Sequence, residues 1–139
     1  MARTIQPDGR SHGVTVACQD QNGRWLLIRR SATVPAPLRV CFPGGGIDCE
    51  ETQAEAVVRE MHEELGAEVL PVRCVWHYRF EEGTITLWGW LAELHSVELA
   101  PNPDEVDEIL WLTDEEVINH SDALPHTDEF MEALQQALC

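Results

Sequence analysis

The sequence predicts an α+β domain, a mixed β-sheet flanked by helices. Three observations predict it. Short runs rich in Val, Trp, Ile and Leu alternate with turn signals through most of the 139 residues. One strongly periodic helical segment, preceded by a capping box and stopped by glycine, follows the third such run. A second helical segment closes the chain, so strands and helices do not alternate as a regular βαβ array.

The elements follow in order. Residues 14–18 (VTVAC) read as a strand, and Asn22-Gly23 is a strong hairpin turn. Residues 25–28 (WLLI) form the return strand. Pro35 and Pro37 break a loop over 31–38, a short strand runs over 39–42, and Pro43-Gly44-Gly45-Gly46 reads as a loop. Thr52 and Glu55 fit a capping box. Ala54, Val57, Val58, Met61 and Leu65 then recur at helical spacing as a buried face, and Gly66 ends the helix. Residues 69–79 and 84–94 read as strands joined at Glu82-Gly83, and residues 100–103 as a loop. Residues 109–112 form a further strand and 114–119 a short helix. Thr127 is expected to cap a last helix ending at residue 138. The chain reads as one domain over 1–139, with 1–12 as a flexible N-terminal extension.

Composition narrows the function. Apolar residues make up 44% of the chain, enough for a core. The formal charge is −16, with 25 acids, 9 bases and no lysine among them. Such a charge opposes binding to nucleic acid polymers and anionic membranes. It also repels a phosphorylated small molecule unless cations intervene. The five cysteines show no CxxC pair, and the N-terminus lacks a signal-peptide core. Reduced thiols in a cytoplasmic protein are therefore expected.

The helix after the glycine loop carries the chemistry. Taking about 100° per residue from Ala54, Glu63, Glu60 and Glu64 fall at roughly 180°, 240° and 280°, on one side of the apolar stripe. Three neighbouring carboxylates repel one another unless a cation sits among them. Hard oxygen donors at this density suit Mg²⁺ or Mn²⁺. The glycines ahead of the helix permit close approach of a ligand. Arg59 falls away from the three acids and is placed to pair with Glu51, tying the loop to the helix.

These residues resemble the Nudix family. The run Gly45, Glu51, Arg59, Glu60, Met61, Glu63, Glu64, Gly66, Ala67 is similar to the Nudix box at every non-aliphatic position. The resemblance implies an α/β/α sandwich. It also implies Mg²⁺- or Mn²⁺-dependent hydrolysis of a nucleoside diphosphate linked to another group. It makes Glu60, Glu63 and Glu64 metal ligands, with the Gly45 carbonyl as a further one. Glu51, Arg59 and Gly66 become structural members of the motif. The general base varies in the family, between Glu60 and an acid on a later loop.

The chain looks most like the MutT branch, which hydrolyses nucleoside triphosphates, oxidised guanine nucleotides included. Arg29-Arg30 precedes Phe42-Pro43-Gly44-Gly45, and Tyr78-Arg79-Phe80 precedes Ile85-Thr86-Leu87-Trp88, as in that branch. The likeness assigns Glu105, six residues before Trp111, as an additional metal ligand, and Arg30 as a phosphate contact. Phe80 and Ile85 are candidates to sandwich a base. Where the branch carries a purine-reading asparagine, the matching position is Asp128. A carboxylate accepts hydrogen bonds, whereas an amide also donates them. Rival readings are hydrolysis of ADP-ribose or nucleotide sugars, an isopentenyl diphosphate isomerase-like enzyme, and a non-catalytic binding module. Members of the family often dimerise, but no residue pattern locates an interface.

Overall fold

The computed structural model describes residues 8–96 and 98–139. In chain order the elements are β1 (Ser11–Ala17), β2 (Trp25–Arg30), β3 (Val40–Cys41), β4 (Gly44–Gly46), α1 (Gln53–Leu65), β5 (Val69–Phe80), β6 (Ile85–Leu94), β7 (Val106–Leu112), α2 (Asp114–Asn119) and α3 (Thr127–Ala137). One sheet has the order β4-β1-β6-β5 and a second the order β3-β2-β7. The first is mixed: β1 runs parallel to β6 but antiparallel to β4, and β5 is antiparallel to β6.

Strand alternation builds a core on each face. Val14, Val16, Leu26 and Ile28 meet Val57, Met61 and Leu65 of α1. Ala17, Trp25 and Leu27 turn the other way, toward Val117 of α2 and Phe130, Met131 and Leu134 of α3. The result is a helix–sheet–helix sandwich, with α1 on one side and the C-terminal helices on the other. Burying each large aliphatic side chain contributes about 1.5–3 kcal/mol before entropy is counted. Trp25, fully buried, donates its indole N–H to Asp114 Oδ1 at 2.6 Å and so ties β2 to the start of α2.

Several expectations need correction. The extension expected over 1–12 is part of the sheet from Ser11 onward. Just before it, the Arg10 side chain donates to Thr86 Oγ1 and to the carbonyls of Phe80 and Ile85. Residues 1–7 lie outside the described residues. Gly44–Gly46 is a strand paired with Gly13, Val14 and Thr15, not a loop. The close pairing requires a missing side chain, since a Cβ on Gly44 would stand 2.0 Å from the Val14 carbonyl oxygen. The buried face of α1 holds Ala56, Val57, Glu60, Met61, Glu64 and Leu65, while Val58 is 43% exposed. The stripe is thus rotated toward the acids. The N-cap of α3 is His126, with no side-chain cap bond, and Thr127 Oγ1 instead donates to the Leu124 carbonyl.

Candidate active site

Helix α1 is held in register at both ends. Thr52 accepts from the Glu55 N–H, and the Glu55 side chain accepts from the Thr52 N–H. Gly66 closes the helix in the left-handed region, φ 60°, where a side chain would be strained. Between these caps, Glu60 and Glu64 stand one turn apart and face β4, both buried, at 3% and 6% exposure. Gly45 is where the strand passes closest, since a Cβ there would lie 2.3 Å from Glu60 Oε2.

Arg59 organises the acids rather than avoiding them. Its Nε and Nη2 form a bidentate pair with Glu51, both at 2.7 Å, and Nη2 also donates to the Gly46 carbonyl. Nη1 reaches Glu60 at 2.8 Å and Glu63 at 3.3 Å, and Asp48 lies 3.5 Å from Nε. The expectation that Arg59 points away from the acids is corrected. Its long stem and planar five-donor head let one side chain serve several oxygens at once. The guanidinium holds the Glu51 carboxyl below the ordinary carboxylate range.

The buried acids behave oppositely. Glu64 is pushed up to about 8, chiefly by burial, with the charges of Glu105 and Glu60 adding to the rise and the Gly44 N–H and the charge of Arg30 opposing it. Gly44 donates to Glu64 Oε1 at 3.2 Å. Burial also raises Glu60, with Arg59 pulling the other way and the charges of Glu63 and Glu105 adding to the rise. The structure therefore brings Glu60, Glu64 and Glu105 within electrostatic reach of one another, with Arg30 in reach of Glu64. The Glu63 carboxylate is 41% exposed and turned onto Arg59. Arg30 donates to the Pro35 carbonyl at 2.8 Å, and its Nη1 lies 4.0 Å from the Cys41 thiol.

Among the described residues, no three of His, Cys, Asp and Glu are gathered so as to hold a metal ion by themselves. The donor set nevertheless fits a hard divalent cation. Mg²⁺ keeps several waters and is typically held by one or two carboxylates plus substrate phosphates, not by a complete protein cage. Two buried, under-compensated carboxylates with a third acid beside them supply that chemistry.

An apolar cavity of about 200 Å³ is lined in part by Cys41, whose thiol is within electrostatic reach of Glu64. Phe42, Trp76, Phe80, Leu87 and Phe130 supply its large apolar wall residues, and residues 124–127 and Thr15 complete it. Trp76 and Phe130 stack at 5.3 Å, and Phe42 meets Phe130 edge-on at 4.9 Å. Phe80 therefore stands where a base-sandwiching residue was expected. Ile85 does not line the cavity; it shares a strand face with Leu87 but sits one step, about 7 Å, farther along. Asp128 also does not line it. It is exposed on the first turn of α3, on the far side from the inward-facing Phe130. Sequence reasoning missed Cys41 and Leu87 as wall residues, whereas His126 could be named as a base contact from its nearness to Asp128. His126 sits two positions from the expected reader, and only the turn into α3 aims it inward.

Fold and site together define a Nudix protein. A NUDIX domain matches residues 9–134, and the chain belongs to that family. Among similar proteins, the 8-oxo-dGTP diphosphatase of Escherichia coli (strain K12) is 37% identical over 79 residues, which cover 54% of this chain and 60% of that protein. The uncharacterized Nudix hydrolase YfcD of the same strain is 32% identical over 117 residues, covering 81% of this chain and 64% of that one. The chain thus spans less than two thirds of the length of these curated relatives. The crystal structure of a MutT protein from Methanosarcina mazei Go1 superposes with a TM-score of 0.80 at 20% identity, covering 93% of this chain and 95% of that one. That likeness shows the fold. No helix among the described residues is long and apolar enough to cross a membrane.

Proposed function

We propose that this chain is a Mg²⁺-dependent (or Mn²⁺-dependent) Nudix pyrophosphohydrolase. Its substrate is a nucleoside triphosphate, oxidised forms included, cleaved to the monophosphate and pyrophosphate. One observation carries the reading: the buried pair Glu60 and Glu64, with Glu105 in electrostatic reach, lies close to Cys41, which also lines an apolar cavity. Its similarity to an 8-oxo-dGTP diphosphatase supports the same substrate class. Five unpaired cysteines support a cytoplasmic setting. The fold, continuous from β1 to α3, supports one domain over the whole chain.

Glu60, Glu63, Glu64, Glu105 and the Gly45 carbonyl would hold the cation, which supplies Lewis acidity and offsets the buried negative charge. The aromatic cavity takes the base and excludes the phosphates, because no charged side chain lines it to compensate for their desolvation. Arg30 leaves the Pro35 carbonyl to make a bidentate contact with a phosphate. A carboxylate among Glu60, Glu64 and Glu105 takes the proton from the attacking water as the phosphoanhydride bond breaks, with pyrophosphate leaving.

The test is a substrate panel with Mg²⁺ in which products are identified for dNTPs, oxidised dGTP, ADP-ribose, nucleotide sugars and dinucleoside polyphosphates. Pyrophosphate release from a triphosphate is expected, falling at least about 100-fold in Glu64→Gln and in Glu63→Gln with the fold retained. Turnover of ADP-ribose or nucleotide sugars alone would replace the triphosphate reading. No turnover of any member would remove it.

A further inference from the structure

One polar residue of the cavity wall is an imidazole with partners on its face, at its edge and at Nδ1. His126 lines the cavity and adopts φ 71°, the left-handed region that a non-glycine residue enters at a steric disadvantage. Its side chain makes no cap bond to the helix it begins. The ring instead stacks on Tyr78, with centroids 3.8 Å apart and planes inclined 28°, and meets Phe80 edge-on at 5.5 Å. Nδ1 is paired with the Glu129 carboxylate. A carboxylate only accepts, so Nδ1 carries the proton, and any polar contact from the ring to a ligand runs through Nε2.

We propose that His126 is the specificity-determining residue of the cavity, reading the edge of the bound base in place of Asp128. The proposal rests on the nucleotide reading of the site. Asp128 is exposed and outside the wall, whereas His126 is held by two aromatic rings, a carboxylate and a constrained backbone. Residues held in the left-handed region cluster at ligand clamps, and of the five such non-glycine residues among those described only His126 lines the cavity. Most of the remaining wall is apolar or aromatic and binds any base by stacking; of the two hydroxyls in it, Thr15 and Thr127, the second is already spent on the Leu124 carbonyl. Discrimination then falls chiefly to His126, the one ring of the wall whose polar atoms are oriented by a bonded carboxylate.

The test compares His126→Gly and His126→Asn with wild type. Both tolerate the left-handed backbone, so neither should fail to fold through strain. For each protein, kcat and KM are measured on ATP, GTP, CTP and UTP, and Kd on the matching monophosphates. Removing the imidazole is expected to shrink the spread of kcat/KM between best and worst base by about tenfold, through KM, with a parallel shrinkage in the Kd spread. Asn, which keeps a donor and an acceptor, restores part of it. An unchanged spread, or an equal fall for every base, overturns the proposal and leaves the hydrolase reading standing. If wild type hydrolyses nothing but binds monophosphates with a base preference, the Kd series alone decides the role of His126, and the hydrolase reading falls by itself. A wild-type protein with no base preference overturns the proposal outright.

Discussion

Glu64 shows at single-residue scale how a functional site is kept at the expense of stability. Its carboxyl is raised from an ordinary value of 4.5 to about 8, so over that interval the native protein holds a proton that the unfolded chain has released. The stabilisation from this group is complete below pH 4.5 and is lost as pH rises through 8. Glu64→Gln removes the titration but keeps an oxygen to accept the Gly44 N–H. In EDTA, the variant should melt close to wild type near pH 4.5 and increasingly above it up to pH 8, while hydrolysis is lost. Thermal melts across that range check it, and a variant less stable than wild type at pH 8 would contradict the burial argument. Legibility at this scale was uneven. Glu60 and Glu64 could be read because an i, i+4 pair must share a face of α1. His126 could be noted beside Asp128, but its direction could not be read, because it depends on a left-handed backbone and on Tyr78, which lies far away in sequence.

At the scale of elements, the contact between α1 and the segment before it decides whether the carboxylates stand in place. Arg59 reaches Glu51, Gly46 and Glu60 at once, so it holds helix and strand together as well as neutralising charge. Arg59→Lys keeps the charge but loses the planar fork, and should destabilise the fold by about 1–3 kcal/mol at pH 7. Glu51 fixes the pH dependence. Its folded value lies below 4.5, so the stability it contributes is present above pH 4.5 and lost as pH falls through that lowered value. The gap between wild type and variant in urea melts should therefore narrow on acidification, and a gap constant with pH would assign the loss to packing alone. The caps of α1 were legible because Thr52, Glu55 and Gly66 act locally. Strand β4 was not, because Gly44–Gly46 has no side chains to show a period and pairs only through its backbone. Val58 was misassigned for a related reason: hydrophobic periodicity alone centres the stripe on apolar residues, whereas the fold buries Glu60 and Glu64 instead.

For the whole molecule, the −16 charge sets a second, independent response to cations. The shortage of positive charge is visible locally, where one guanidinium faces Asp48, Glu51, Glu60 and Glu63 together. Self-repulsion among surface acids is screened by any salt, since the Debye length shrinks from about 10 Å at 0.1 M to about 3 Å at 1 M. The melting temperature should therefore rise gradually with NaCl over that range. Mg²⁺ should act differently if it binds at the buried carboxylates. It should raise the melting temperature at millimolar levels in a background of high NaCl, where surface screening is already complete, following the logarithmic dependence of ligand-linked stability. The two responses separate by mutation. Glu64→Gln should keep the NaCl slope, because Glu64 is buried and holds its proton below about pH 8 in the absence of metal, but lose most of the Mg²⁺ increment. Equal Mg²⁺ increments in wild type and Glu64→Gln at 1 M NaCl would place the cation on the acidic surface and remove it from the site between α1 and β4.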